Sequence, residues 1–243
     1  MQNRIFSTEN PKAVKATEYG WFNAIHYMAP ARLAGVGNLC AHASPGCIAL
    51  CLGEHSGQAG MVKHDDDMNS VRLSRRAKAV RFMKDRKSYM QDVVRSIELA
   101  LRKANKLGLK LCVRMNGSTD IPWEGIRDAD GLTVMERFPS VQFTDYTKSP
   151  KRALAHAEGR MPANYSLCFS RSETNEADCI RVLQAGGTVA AVFASAKPSH
   201  WQGFPTIDGD AHDLRHLDPR GHVVALSPKG RKAKRDTSGF VIR

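Results

Sequence analysis

Residues 165–193, with the sequence YSLCFSRSETNEADCIRVLQAGGTVAAVF, contain the pattern that decides the fold. A short apolar run at 165–169 leads through a polar loop to a helical segment at 173–184, and a second apolar run follows at 188–193. The Gly186-Gly187 pair is typical of a helix that ends and leads directly into the next strand. Two short buried strands joined by a helix predict parallel pairing in an α/β sheet.

The same pattern extends outward in both directions. Further apolar runs, each followed by polar residues, lie at 109–114, 141–144, 204–207 and 222–226, and helical segments lie at 69–107, 132–138 and 212–217. The segment at 69–107 is long enough for two helices or one bent helix. These units predict one α/β domain over residues 1–243, with mainly parallel strands in a partial or complete (β/α) barrel. Residues 1–39 are predicted to form an N-terminal extension that packs on it.

The composition indicates a chain with one substantial core and no membrane partner. Of the 243 residues, 42% are hydrophobic, and no apolar run approaches the ~18 residues that a membrane span requires. The first residues have neither the apolar stretch nor the cleavage site of a signal peptide. We therefore expect a cytoplasmic protein.

Positive charge is the strongest feature of the composition. The net charge is +12, and Lys and Arg are concentrated at 72–86 and 229–235. Such a surplus favours nucleic acid or a nucleotide as the partner, through contacts with phosphate. The residues of the second segment predicted to contact phosphate are Lys229, Arg231, Lys232 and Lys234. The alternative is a basic surface that is only solvated.

Cys40, Cys47 and Cys51 fall close together, and clustered thiols in a reducing compartment indicate metal or redox chemistry rather than disulfides. A turn at Pro45-Gly46 would let Cys40 approach Cys47, and a helix after it would place Cys47 and Cys51 on one face. In contrast, Cys112 lies in an apolar stretch and is predicted to be buried, as is Cys168.

The three thiols allow three interpretations. They could hold an iron–sulfur cluster with one iron open to a further ligand. They could bind zinc, for which His42 and His55 are candidate fourth ligands. The third interpretation is three unligated thiols, two of them packed on a helix face.

Two polar loops follow predicted strands. In Arg114–Glu124, the residues Asn116, Ser118 and Asp120 suit the groups of a small polar ligand, and the alternative is a satisfied loop with Asp120 as a helix N-cap. In Ser170–Glu176, Arg171 and Glu173 stand before a helix that could receive a carboxylate or phosphate. There the alternative is capping by Ser172 or Thr174, with Glu176 completing a capping box.

A third group of candidates is acidic. Asp208 and Asp210 lie in an Asp- and His-rich segment, and Asp145 follows another apolar run. Carboxylates at the ends of strands can bind a divalent metal or act as acid and base. The alternative for Asp208 and Asp210 is an Asp-rich turn.

Taken together, these segments resemble a family of bacteriophage and prophage proteins, the gene-product-eighty-eight-like proteins. The resemblance rests on the Cys-x6-Cys-x3-Cys spacing, the Arg-x-Asn-Gly-Ser-x-Asp-Ile loop from residue 114, the Ser-Arg-Ser-Glu-Thr-Asn loop from residue 170 and the Leu-Ser-Pro-Lys-Gly-Arg-Lys-Ala-Lys-Arg segment from residue 226. It covers most of the chain and carries no settled activity. For a phage-encoded protein, the expected cytoplasm is that of the host cell.

The general plan is also similar to that of the radical S-adenosylmethionine enzymes, in which three cysteines follow an early strand of a βα barrel. There the cysteines hold a [4Fe–4S] cluster, and S-adenosylmethionine binds the fourth iron. This resemblance implies a cluster on Cys40, Cys47 and Cys51 and places the cofactor's amino group at residues 116–120. The usual spacing of that superfamily, Cys-x3-Cys-x2-Cys, is shorter than the spacing in this chain.

The leading hypothesis is a phage-type iron–sulfur enzyme that binds S-adenosylmethionine and modifies nucleic acid or a nucleotide. In it, Asn116, Ser118, Asp120 and Arg171 bind the cofactor, and Glu173 acts on cofactor or substrate. One alternative is a transglycosylase or nuclease that uses Asp145, Asp208 and Asp210. Another is a non-catalytic nucleic-acid-binding phage protein whose cysteines hold structural zinc.

Overall fold

A mainly parallel sheet organises the fold in the computed structural model, which describes residues 5–9 and 11–243. Over those residues the strands are β1 (Phe6–Ser7), β2 (Trp21–His26), β3 (Lys110–Arg114), β4 (Gln142–Thr147), β5 (Tyr165–Ser170), β6 (Thr188–Phe193), β7 (His200–Trp201), β8 (Phe204–Asp208), β9 (Val223–Leu226) and β10 (Val241–Ile242). They lie in the order β1-β2-β3-β4-β5-β6-β9-β8-β7, and β10 pairs with the end of β6. Apart from the antiparallel pairs β1–β2 and β7–β8, these strands run parallel. The prediction of a single, mainly parallel α/β domain is confirmed.

The helices lie mostly between successive strands. They are α1 (Pro11–Lys15), α2 (Pro45–Ala49), α3 (Leu52–His55), α4 (Ser70–Lys84), α5 (Arg86–Lys106), α6 (Val134–Arg137), α7 (Pro150–Ala157), α8 (Glu176–Gln184) and α9 (Gly230–Lys234). Asp85 separates α4 from α5, and its side chain accepts a hydrogen bond from the Ser88 N–H at 3.2 Å as a cap. The long helical pattern therefore forms two helices. In the part of the chain that the structure describes, no helix combines the length and apolar character of a membrane span.

Successive strand residues face opposite sides of the sheet. On one side, Phe22, Val113 and Phe143 belong to an extensive buried cluster that includes residues of α4 and α5. On the other side, Cys112 packs with Leu214, which lies in the segment between β8 and β9. The prediction that Cys112 and Cys168 are buried is confirmed.

The predicted barrel is not confirmed. A closed barrel requires hydrogen bonds between its first and last strands, and in the described residues β1 pairs only with β2, while β7 pairs only with β8. The strands β2 to β6 nevertheless follow one another in sequence order. Their carboxyl ends, and the loops after them, therefore lie along one edge of the sheet.

Residues 21–26 correct the prediction of an N-terminal extension. They form β2, which pairs with β3 from Trp21 opposite Lys110 to Ile25 opposite Arg114. This segment is not a continuous apolar run, because it contains Asn23 and His26, yet both of these side chains are buried. A search for apolar runs therefore missed an internal strand of the sheet.

Candidate functional site

A cleft with a volume of about 1000 Å³ lies at the carboxyl edge of the parallel strands. Its lining includes residues at or just after the ends of five strands, among them Tyr27, Arg114, Tyr146, Ser170 and Val192. The cysteine segment and one face of α4 also contribute to the lining. We call this space the central cleft. Binding sites of α/β sheets are built at this edge because the loops that follow neighbouring parallel strands meet there.

The three clustered cysteines all line the central cleft, and each is partly exposed, whereas the other three cysteines are buried. The Sγ atom of Cys40 accepts a hydrogen bond from the Ala31 N–H at 3.3 Å and lies 3.8 Å from the carbonyl oxygen of Ser118. Burial and the two neighbouring thiols raise the pKa of Cys40 to about 12, and burial together with Cys47 raises the pKa of Cys51 to about 11. The sulfur atoms are close enough to repel one another as thiolates, and a bound cation would relieve that repulsion.

The local fold of the cysteine segment corrects two predictions. The Pro45-Gly46 pair begins α2 rather than forming a turn, because the Ser44 hydroxyl caps this helix and accepts a hydrogen bond from the Cys47 N–H at 3.2 Å. Cys51 lies after the end of α2 and directly before α3. Cys47 and Cys51 therefore do not share one helix face, and tertiary packing brings them to the same cleft.

Glu173 holds the beginning of α2 in position. Its carboxylate accepts hydrogen bonds from the Ser44 hydroxyl and the Gly46 N–H, both at 2.7 Å. Although burial opposes them, these hydrogen bonds hold the pKa of Glu173 below its ordinary value. A Cβ atom on Gly46 would lie 2.7 Å from Ser238 Oγ and 2.8 Å from Glu173 Oε2, so any other residue there would displace these side chains. Glu173, predicted to act on cofactor or substrate, therefore lies where it positions Cys47.

The loop after β3 contains the predicted cofactor ligands, and internal hydrogen bonds close it. Asn116 is buried, and its Nδ2 donates to the Ile121 carbonyl at 2.9 Å and to Asp145 at 3.1 Å. Its Oδ1 accepts hydrogen bonds from Thr119, Ile121 and Trp123. A ligand could bind the Asn116 amide only by replacing these bonds.

Asp120 is also held inside the protein. It accepts hydrogen bonds from Arg152 at 2.6 Å and from the Lys148 N–H at 2.8 Å, so it is not the helix N-cap of the alternative interpretation. Arg152 binds both oxygens of Glu124 at 2.6 and 2.8 Å. Ser118 is half-buried, donates to the Met28 carbonyl at 2.6 Å and lines the cleft beside Cys40. The backbone carbonyl of Ser118 therefore lies next to the Cys40 thiol.

Asp145 belongs to β4, and its side chain is buried and is not part of the cleft lining. It accepts hydrogen bonds from the Asn116 N–H at 2.6 Å and the Tyr165 hydroxyl at 2.8 Å. Burial raises the pKa of Asp145 to about 7 in spite of these donors. The contacts of Asp145 therefore connect β3, β4 and β5 beneath the cleft.

Asp208 and Asp210 also lie outside the cleft lining. Both accept hydrogen bonds from Lys197, and Asp210 also accepts one from the Ser227 N–H at 2.9 Å. The hydrogen bond from Lys197 holds the pKa of Asp208 below its ordinary value. The structure does not bring the predicted catalytic carboxylates together in the cleft.

The predicted phosphate ligands near the C-terminus are also divided. Lys229 lines the cleft, 3.4 Å from Asp210, whereas Arg231 and Lys234 are exposed outside its lining. Lys232 forms an ion pair with Asp65 at 2.7 Å. The basic run forms the short helix α9, so its side chains point in different directions: toward the cleft, toward Asp65 or into solvent.

Arg171 lines the cleft and donates to the Phe240 carbonyl at 2.9 Å. The residue at the N-cap of α8 is Asn175, and no side chain provides a capping hydrogen bond there. Neither Ser172 nor Thr174 therefore caps this helix.

In the described part of the chain, no three His, Cys, Asp or Glu side chains are already arranged as a metal-ligand group. Neither His42 nor His55 belongs to the cleft lining, and His55 lies 3.9 Å from Asp65. The described lining thus offers three thiols and no histidine. Three thiols fit an iron–sulfur cluster with one open iron, whereas a closed zinc site needs a fourth protein ligand. Asp120 and Asp213 of the lining could supply it only by giving up their ion pairs with Arg152 and Arg114.

Sequence reasoning placed Arg114 and Asp213 in separate polar segments and missed their pairing, and it did not select any residue of α4. Arg114 forms an ion pair with the buried Asp213 at 2.7 Å, and the Tyr146 hydroxyl donates to the same carboxylate at 3.1 Å. Arg75 and Lys78 also line the cleft from α4. Arg75 follows Val71 by four residues and Lys78 follows Arg75 by three, which is the spacing of one helix face. This signal lies inside a run of basic residues that was interpreted as a whole.

Comparison with known proteins assigns the chain to a family. The family model described as Gene product 88 matches residues 4–243. No curated protein matches the chain, and no solved structure does. The similarity to the plan of the radical S-adenosylmethionine enzymes is not supported by these comparisons. Because the family model covers nearly the whole chain, the protein belongs to the gene product 88 family.

Proposed function

We propose that the protein is a phage-type iron–sulfur enzyme whose three-cysteine centre lies in the central cleft and acts on nucleic acid or a nucleotide. One observation carries the proposal. Cys40, Cys47 and Cys51 are partly exposed and line one cleft, whereas the other cysteines are buried. Thiols that served only as small core residues would be buried as well. The family name favours a bacteriophage origin.

A cluster on three cysteines has one iron without a protein ligand, and S-adenosylmethionine is the cofactor we propose for that position. When bound, the cluster would supply the electron for chemistry on the cofactor. Ser118 would lie against the cofactor, since its carbonyl oxygen is 3.8 Å from Cys40 Sγ. A Cβ atom added to Gly53 would lie 2.7 Å from Ser118 Cβ and 3.4 Å from Cys51 Sγ, so Ser118 lies close to both thiols.

Other predicted site residues would hold the thiols and Ser118 in position. Glu173 holds α2, and therefore Cys47, through the hydrogen bonds to Ser44 and Gly46. The buried bonds of Asn116 and Asp120 fix the loop that carries Ser118. In this proposal the two side chains act on the shape of the loop rather than as direct ligands.

The charge of the cleft supports an anionic substrate. Its lining includes the cations Arg75, Lys78, Arg114, Lys148, Arg171 and Lys229, against the acids Glu9, Asp120 and Asp213. A cleft in which positive charge predominates attracts anionic ligands. With the net charge of +12, this arrangement favours phosphate-containing substrates.

The test is purification of the full chain under anaerobic conditions, followed by iron and acid-labile sulfide analysis and an absorption spectrum. We expect about four iron and four sulfide per chain, with brown colour that is lost in Cys47→Ala. Cys179→Ala is the matched control, because this cysteine is buried away from the cleft, and it should retain the cluster.

A colourless protein with stoichiometric zinc would contradict the proposal and favour the non-catalytic nucleic-acid-binding alternative. Equal loss of iron in Cys47→Ala and Cys179→Ala would also contradict it. Retention of iron in the control, with loss at the cleft cysteine, is the result that supports the three-cysteine centre.

A further inference from the structure

One face of α4 lines the central cleft without a role in the proposed metal centre. Val71, Ser74, Arg75 and Lys78 lie on this face at spacings of three and four residues. A helix face that packs in a core is usually apolar, whereas this face presents a hydroxyl, a guanidinium and an amine. Its composition indicates contact with a polar ligand.

Lys78 is the most informative of these residues. It is 7% exposed, so nearly all of its side chain is buried, and it lines the cleft. Among the residues that the structure describes, no carboxylate or other acceptor pairs with its Nζ. Burial and the like charge of Arg75 lower the pKa of Lys78 to about 8. The Nζ is not among the buried side-chain atoms that lack a partner in the described residues, so the aliphatic part of Lys78 is buried while its amine reaches the cleft. An amine held there without a protein anion is available to an anionic ligand.

Arg75 lies one turn before Lys78 and is oriented by its neighbours. Its guanidinium lies over the Tyr27 ring, 4.7 Å from the ring centroid, and donates a hydrogen bond to the Gly53 carbonyl. These contacts hold the guanidinium at the cleft. Ser74, also in the lining, adds an exposed hydroxyl next to it. One helix thus presents two cations, of which Arg75 is held in place, and a hydroxyl donor.

We propose that Lys78, Arg75 and Ser74 form a subsite that binds a phosphoryl group of the substrate. The inference rests on the proposed function, since it names the substrate group that the cleft would hold beside the metal centre. Two cations match a phosphoryl dianion better than a single carboxylate charge, and arginine and lysine are its usual protein partners. The same group could come from a free nucleotide or from a polynucleotide backbone.

The test is calorimetric titration of the full chain with inorganic pyrophosphate at pH 7.5 and low salt. We expect saturable binding that is weakened at least tenfold in Lys78→Met and retained within a few-fold in Lys78→Arg. Lys84→Met is the matched control, because Lys84 lies on the same helix but is exposed outside the cleft, and its affinity should equal that of the wild type.

A second measurement separates ligand binding from a structural role. The melting temperature of Lys78→Met should stay close to that of the wild type, because methionine keeps the buried aliphatic part of the side chain and only the amine at the cleft is lost. Lack of pyrophosphate binding by the wild type would overturn the subsite. So would unchanged affinity in Lys78→Met, or an equal loss in Lys84→Met.

Competition identifies the source of the phosphoryl group. A nucleoside diphosphate that displaces pyrophosphate, where a single-stranded oligonucleotide does not, indicates a small substrate, and the reverse indicates a polynucleotide. The metal centre is tested separately: Lys78→Met should load iron normally, and Cys47→Ala should bind pyrophosphate normally. If the wild-type protein purified under anaerobic conditions binds pyrophosphate but contains no cluster, the subsite stands and the proposed function is overturned.

Discussion

The loop after β3 and the cleft face of α4 line the same cleft, but their polar groups differ in how they are satisfied. In the loop, Asn116 and Asp120 are bonded to neighbouring side chains and backbone groups. On α4, Lys78 lies buried at the cleft with no anionic partner among the described residues. The polar side chains of the loop are hydrogen-bonded to one another and to the backbone, whereas the helix face carries an amine without an anionic partner.

This difference separates residues that shape a site from residues that can bind in it. Polar groups inside a protein are nearly always hydrogen-bonded there, as those of Asn116 are. The amine of Lys78 instead reaches the cleft, where a ligand can contact it. Both regions are rich in polar residues, and the sequence analysis selected site residues in the loop and none on α4. In the structure, Asn116 and Asp120 hold the loop in shape, and Lys78 is available to a ligand.

The largest expected effect is loss of the hydrogen bonds that hold the loop, through Arg152→Met. This change leaves the carboxylates of Asp120 and Glu124 without their cation, so we expect the free energy of unfolding to fall by about 3–5 kcal/mol. Urea denaturation measures it. The control is Arg160→Met, whose guanidinium pairs on the surface with Glu158. A loss below about 1 kcal/mol in Arg152→Met would show that the loop is not held in this way.

Asn116→Ala should destabilise the protein somewhat less, by about 2–4 kcal/mol, because several buried groups lose their partners at once. Asn105→Ala, on the exposed side of α5, serves as the control. If Asn116→Ala were as stable as the wild type and lost only ligand affinity, Asn116 would be a ligand-binding residue. The conclusion that the loop only shapes the site would then be wrong.

Acid should weaken the same region through His26, which is bonded to the Met115 carbonyl at 2.9 Å and the Tyr89 hydroxyl at 2.6 Å. Burial, then the charge of Lys78, lowers the pKa of His26 to about 3. Below pH 6.5 the unfolded chain takes up a proton that the folded chain does not, so stability falls as pH falls from 6.5 toward 3.

Between pH 7.5 and 5.0 this contribution is about 2 kcal/mol. Urea unfolding at both pH values should show that His26→Gln loses that much less stability on acidification than the wild type does. His64→Gln, at an exposed position, should keep the wild-type dependence. An unchanged pH dependence in His26→Gln would mean that His26 takes up a proton in the folded protein.

Glu173→Gln tests whether Glu173 positions the cysteine segment. Because the charged acceptor of the Ser44 and Gly46 donors is lost, we expect a decrease of about 1 kcal/mol in unfolding free energy. Alkylation of Cys47 in the metal-free protein should become faster as α2 frays. Glu98→Gln, exposed on α5, should change neither quantity. Normal alkylation in Glu173→Gln would remove the positioning role.

The smallest effect is expected for Asp208→Asn. This exposed carboxylate pairs with Lys197 outside the cleft, so the change should alter stability by less than about 0.5 kcal/mol and leave pyrophosphate affinity unchanged. Thermal denaturation measures the stability, and calorimetric titration measures the pyrophosphate affinity. Loss of affinity in this variant would show that the binding region extends to β8.

Sequence reasoning predicted the strands at 165–169, 188–193 and 222–226 nearly as they occur, because each is a short apolar run beside a clear stop. It missed β2, whose buried Asn23 and His26 interrupt the apolar pattern. It also missed α7, the helix after β4. A local hydrophobicity pattern predicts a buried strand only when the buried residues are apolar.

For the site, the sequence by itself determined the class of groups that could act: three clustered thiols, polar loops after the strands and an excess of cations. Only the tertiary structure decided which of them face the cleft. Asn116 and Lys78 are both buried polar residues, and their difference depends on whether a partner lies within about 3 Å, a distance that long-range packing sets. Such pairing joins residues far apart in the chain, as in Glu173 with Gly46, and a local pattern contains no information about it.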